Sequence, residues 1–128
     1  MITLYEQLSF SYNWNNKLSC NCFTTFRPHN PRKYVVGRKL SVMIQEKNLK
    51  DIEIKAIKTM KLSQVNEFIA RLDTGYSVDD FCKMVQTMYK NKGIDFETAD
   101  WDLILCVEIE QPKAQKVKVQ KAQIPIFL

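Results

Sequence analysis

The sequence predicts a small α+β domain: a barrel-like sheet of five to six strands with two helices packed on it. Three observations carry that expectation. Short runs of alternating apolar residues recur through the first half of the chain. Two helical periodicities then follow back to back, and the strongest alternating run comes last, at Trp101–Ile109. Helices that do not interleave with strands disfavour a doubly wound parallel sheet and suit a curved sheet. A length of 128 residues allows one domain with one sizeable core, assigned to residues 1–112, with 113–128 as a basic tail or final strand.

Met1–Phe10 reads as the first strand, from Ile2, Leu4, Leu8 and Phe10. Ser11–Lys17 is polar and asparagine-rich around Trp14, a loop or single helical turn with Trp14 as its hydrophobic plug. Ser19–Arg27 is a short strand, stopped because Pro28 restricts the residue before it. Leu40, Val42 and Ile44 alternate with polar neighbours, and Glu46–Asp51 reads as a charged turn. Ile52 and Ile54 alternate until the phase slips at Ala56-Ile57, where a β-bulge restores inward alternation to Ile57 and Thr59. Val65, Phe68, Ile69 and Leu72 give a first helical face behind Ser63 as N-cap, with Gly75 closing the helix. Ser77 caps a second helix whose apolar face is Val78, Phe81, Val85, Met88 and Tyr89. In the last strand Trp101, Leu103, Leu105 and Val107 form the core face, and Ile104 and Cys106 fall on a face that also needs cover.

Composition excludes several classes. Hydrophobic residues are 45% and charged residues 26%, which suits a folded domain. No apolar run approaches the roughly 18 residues of a membrane span, and the N-terminus lacks a signal-peptide pattern; the expected compartment is the cytoplasm, with no membrane partner. Cys20, Cys22, Cys82 and Cys106 show no C-x-x-C spacing, and His29 is the one histidine, so no metal and no cofactor is expected.

Charge is unevenly spread. From Gln7 to Gln45 there are six basic residues and no acidic one, from Ser63 to Pro112 ten acids face four bases, and from Lys113 onward there are four lysines and no acid. The basic half suits a polyanion, whose phosphates dispersed Lys and Arg neutralise.

At the centre of the acid-free stretch lies Cys22-Phe23-Thr24-Thr25-Phe26-Arg27. With Trp14-Asn-Asn-Lys17-Leu18 before it, Tyr34-x-x-Gly37 and Leu40-Ser-Val42 after it, and Asp73-Thr-Gly75-Tyr76 leading into the second helix, it resembles the ASCH domains of the PUA-like superfamily over roughly residues 8–110. The resemblance implies a small β-barrel with a ligand cleft. Family members that act as amidohydrolases on acetylated cytidine carry a lysine at the first position of this motif, a threonine at the fourth and a glutamate before the second helix. Here those places hold Cys22, Thr25 and Thr74, with Asp73 beside the last. One of three positions is kept and the activating amine is replaced by Cys22, which lacks a partner base other than His29.

On one strand Phe23, Thr25 and Arg27 share a face and Thr24 and Phe26 the other. A hydroxyl beside a guanidinium suits a phosphate or base edge, and one of the two phenylalanines is free to stack a base. The competing reading pairs Arg27 with Asp73 or another acid. The ligand-binding candidates are Thr24, Thr25, Arg27 and Asp73; the phosphate-contacting candidates are His29, Arg32, Lys33, Arg38 and Lys39. Tyr34 is assigned to the core. The first functional expectation is a nucleic-acid-binding domain, for RNA. The second is an amidohydrolase on a modified nucleoside or small amide, with Thr25 as nucleophile or relay and Asp73 as acid/base. The third is a protein-interaction module whose tail, Ile124 to Leu128, docks a partner or a second copy as a homodimer.

Overall fold

The computed structural model describes residues 5–109. Ile2, Leu4 and the tail 113–128, with Lys113, Lys116, Lys118 and Lys121, lie outside the described residues, as does the expected tail-mediated dimer. The order is β1 (Gln7–Phe10), a 3-10 segment (Trp14–Ser19), β2 (Cys22–Pro28), β3 (Lys39–Ile44), β4 (Lys47–Lys61), a 3-10 turn (Leu62–Gln64), α1 (Glu67–Thr74), α2 (Val78–Met88) and β5 (Asp100–Glu108).

One five-stranded mixed sheet runs β1-β3-β4-β5-β2. β1 lies parallel to β3 and the remaining pairs are antiparallel. The sheet curls into a half-barrel, so its two edges, β1 and β2, approach without pairing; Phe10 and Phe23 meet edge to face with centroids 6.0 Å apart. The expected barrel of five to six strands is therefore open. β1 has four residues and its pairing is with β3, so among the described residues no strand fills the seam beside β2.

The bulge expected near Ala56 is present: the β4–β5 register shifts between Ile54 and Ala56, and Ile57 and Ile104 become partners. It bends a 15-residue strand enough to serve both the curl and the helical layer. The charged turn is shorter than expected. Gln45 and Glu46 alone make it, both with positive φ (51° and 66°), as a two-residue hairpin requires, and β4 starts at Lys47.

Both sheet faces are covered. Inside the curl sit Leu8, Phe10, Phe23, Leu40, Val42, Ile52, Ile54, Ile104 and Cys106. Against the helices sit Phe26, Met60, Leu62, Val65, Phe81, Val85 and Trp101. Double coverage explains why Phe23 and Phe26 are both buried, so neither is free to stack a base. It also corrects β5: Ile104 and Cys106 are fully buried inside the curl, and Leu103, Leu105 and Val107 are only half-buried. Trp101 stacks on Phe26 at 5.3 Å within the helical layer. Alternation marked the strand but could not say which face is innermost when both are apolar.

Ser77 caps α2 as expected, accepting from the Asp80 amide, and Gly75 ends α1 at φ 84°. The N-cap of α1 is Asn66, not Ser63, which falls in the 3-10 turn. The face of α1 is also corrected. Ala70, Asp73 and Thr74 are buried, whereas Phe68 and Leu72 are 74% and 56% exposed. The helix turns its small and polar side to β2 because Asp73 has partners there.

Candidate functional site

The open seam is the candidate site. An inner recess of about 40 Å³ is lined by Phe10, Trp14, Lys17, Thr25, Arg27, Asp73 and Tyr89, among others. It adjoins an outer cleft of about 550 Å³, with which it shares Ser9, Phe10, Ser11, Arg27, Met88 and Tyr89. The site thus draws on both sheet edges, the 3-10 segment and both helices.

Asp73 is its centre. The carboxylate is 3% exposed, and its Oδ1 accepts from Lys17 Nζ at 2.9 Å and Thr24 Oγ1 at 2.8 Å. Its Oδ2 has no hydrogen-bond partner among the described residues, yet it is not sealed from solvent. Lys17 is buried on the 3-10 segment. Asn15 and Asn16 adopt left-handed φ there (58° and 52°), which asparagine tolerates, and the kink turns Lys17 inward. Burial holds the Lys17 ammonium below the usual lysine range, and the ion pair with Asp73 opposes that shift.

Thr25 is 3% exposed and accepts from Arg27 Nε at 2.9 Å, so its own O–H remains to be donated. The Arg27 guanidinium lies over the Phe10 ring, 4.6 Å from its centroid. It forms no ion pair with Asp73 or any other acid among the described residues, and its terminal nitrogens are uncommitted there. Of the four ligand-binding candidates, Thr25, Arg27 and Asp73 line the recess. Thr24 instead supports Asp73 from the opposite strand face. Cys22 is exposed on that face and does not line the recess. Cys106 is no nucleophile either: burial pushes its thiol up to about 12.

The basic candidates divide. Arg32, Lys33 and Arg38, with Glu6 and Asn30, line a separate surface cleft of about 430 Å³. Lys33 is held below the usual lysine range, first by burial and, against the pull of Glu6, also by Arg27. Arg38 Nη1 donates to the Arg32 carbonyl at 2.7 Å, which fixes the loop. Lys39 stands apart, exposed at the start of β3 opposite Glu53. His29 stays exposed at the surface, with its Nδ1 2.9 Å from Asp102 Oδ1, and Asp102 also accepts from Thr59 Oγ1 and the Asn30 amide. Asp102 is 1% exposed, so this cluster anchors the basic loop to β5. Tyr34 packs on the core as expected.

Sequence reasoning missed Lys17. It sought an amine at the motif's first strand position, while the amine arrives from the preceding segment. Of the two places open to Trp14, hydrophobic plug or rim of the cleft, the structure gives the second: Trp14 is half-buried at the recess, in edge-to-face contact with the exposed Tyr12, centroids 5.4 Å apart. Trp14 and the half-buried Tyr89 line the recess with Phe10 and the buried Phe26, Phe23 does not, and Tyr12 stands beside Trp14 outside it. Among the described residues no group of three or more His, Cys, Asp or Glu side chains is arranged to hold a metal, and no helix is long and apolar enough to cross a membrane.

Compared with known proteins, the chain matches no family model, no curated protein and no solved structure.

Proposed function

We propose that the chain is a nucleic-acid-binding domain of ASCH/PUA-like type that takes single-stranded RNA. A base enters the seam and the backbone runs along the 29–38 loop. The observation that carries this reading is Arg27: a guanidinium stacked on Phe10, held by Thr25 and free at its terminal nitrogens, at the junction of recess and outer cleft. Arg32, Lys33 and Arg38 supply the phosphate contacts, and Tyr12 and Trp14 supply stacking surface. Anisotropy titrations with labelled single-stranded RNA and DNA across salt concentrations test it. Three phosphate contacts predict a log–log salt slope of about −2. Arg27→Ala with Lys33→Ala should weaken binding at least tenfold; unchanged affinity refutes the reading.

A second reading is favoured by one specific observation, the buried Lys17–Asp73 pair beside Thr25. Lys17 supplies the amine that Cys22 does not. In an amide hydrolase Thr25 Oγ1 attacks the carbonyl and its proton passes through the Lys17–Asp73 pair to the leaving nitrogen. Water then releases the acyl group. Incubation with acetylated nucleosides separates the two readings: turnover abolished in Thr25→Ala supports the hydrolase, and turnover no greater than that of Thr25→Ala removes it.

A further inference from the structure

The inner groups of the recess form an uneven hydrogen-bonding set, while the hydroxyls of Ser9, Ser11 and Tyr89, able to donate or accept, line it where it joins the outer cleft. Three donors line the recess. Thr25 keeps its O–H because its oxygen already accepts from Arg27. Lys17 keeps N–H groups beyond the one given to Asp73. Arg27 keeps its terminal nitrogens. Against these stands one charged acceptor, Asp73 Oδ2, which is unpartnered while Oδ1 serves both Lys17 and Thr24. Lys17 and Asp73 have side chains 8% and 4% exposed, so they are preorganised and largely dry. A group entering between them must bring an acceptor for the donors and, beside it, one N–H for the carboxylate. Any other arrangement leaves a buried charge without its partner, which is the strongest form of discrimination a site has.

We propose that the recess selects a keto base, guanine or uracil, by its adjacent oxo and imino groups. The oxo oxygen faces Thr25, Lys17 and Arg27, and the imino N–H faces Asp73. Adenine and cytosine present an amino group where the donors lie and an unprotonated ring nitrogen where the carboxylate lies, so both contacts turn repulsive. This inference rests on the base-binding reading.

The test uses the whole chain and RNA pentamers that differ at the centre: AAGAA, AAUAA, AAAAA and AACAA. The G and U pentamers should bind at least tenfold tighter than the A and C pentamers. N1-methylguanosine or N3-methyluridine at the centre should erase that preference, because methylation removes the one N–H that Asp73 can accept. Changing the ligand rather than the protein avoids variants that fail to fold. Equal binding of the four pentamers, or methylated centres bound as well as their parents, overturns keto selection. If such equal binding is still lost in Arg27→Ala, nucleic-acid binding stands without it; if none of the pentamers binds, both fall.

Discussion

Replacing Lys17 by methionine probes the centre of the site. Lys17 and Asp73 are joined at 2.9 Å, and their side chains are 8% and 4% exposed. Removing the ammonium leaves Asp73 with the Thr24 hydroxyl alone. Breaking a buried pair from one side costs about 3–5 kcal/mol, because the remaining charge stays desolvated. For a domain of this size that is a fall in Tm of roughly 11–19 °C. Asp73→Asn in the same chain removes the stranded charge, so the double variant should recover at least about 2 kcal/mol relative to the sum of the single changes. Urea unfolding of the four proteins measures this cycle. Burial of Lys17, which outweighs the opposing pull of Asp73, sets a pH dependence. Lys17 has its folded-state pKa lowered from 10.5, so the unfolded chain binds more protons in the window between the folded value and 10.5. Stability contributed by this group therefore rises with pH through that window, and Lys17→Met loses that rise. A Lys17→Met cost under about 1 kcal/mol, or a strictly additive cycle, refutes the claim that the pair is a tightly coupled buried unit.

Gly75→Ala should destabilise by about 1 kcal/mol or more in thermal melts, since φ is 84° and a Cβ would stand 3.3 Å from Asn15 Oδ1. Thr59→Val should cost about 1–2 kcal/mol, because it removes the 2.7 Å hydrogen bond to the buried Asp102; a neutral result refutes the claim that the carboxylate depends on this donor. Phe68→Ser with Leu72→Ser should leave the unfolding midpoint within about 0.5 kcal/mol per site, as both side chains are mostly exposed; a large loss would mean that the helix packs by the face its periodicity suggests. Lys61→Ala should be nearly neutral in the same melts although Lys61 lies 2.7 Å from Asp100, because both side chains are well exposed and such pairs contribute little.

Local chemistry was legible in the sequence; choices between faces were not. The Ser77 cap, the Gly75 terminus and the bulge before Ile57 each depend on a few neighbouring residues, and each was readable from them. The inner face of β5 depends on what lies across the sheet, and both of its faces are apolar. The face of α1 is a different case: Phe68 and Leu72 carry the apolar stripe, but Asp73 has a lysine and a threonine waiting on other elements. A paired carboxylate is committed to its partners, and the helix rotates to keep it there. The one sequence signal for this was negative. The buried face of α1 runs Ala70, Asp73, Thr74, small enough to let β2 approach, and an acid on the small side of a helix asks for a cation from elsewhere. Lys17 lies 56 residues away in sequence, beyond the reach of any motif spacing.

The same geometry explains how an amine reaches the site although β2 opens on Cys22. Cys22 and Lys17 are five positions apart in the chain, but the left-handed pair Asn15-Asn16 bends the intervening segment. A group on that segment therefore reaches the space beneath Phe10 from the side rather than from the strand. Lys17 lies 5.7 Å from the Phe10 centroid and Arg27 lies 4.6 Å from it, so two cations share one ring at the seam. Two cations in one small recess repel, and Asp73 offsets only one of them through a direct ion pair. The charge left without an acid among the described residues is Arg27, held by Thr25 and the ring face of Phe10. An arrangement that keeps a cation half-buried without an acid is costly unless a ligand supplies the missing negative charge or acceptor. A closed barrel would have sealed that cost inside the fold; the unpaired seam between β1 and β2 leaves it open to a ligand.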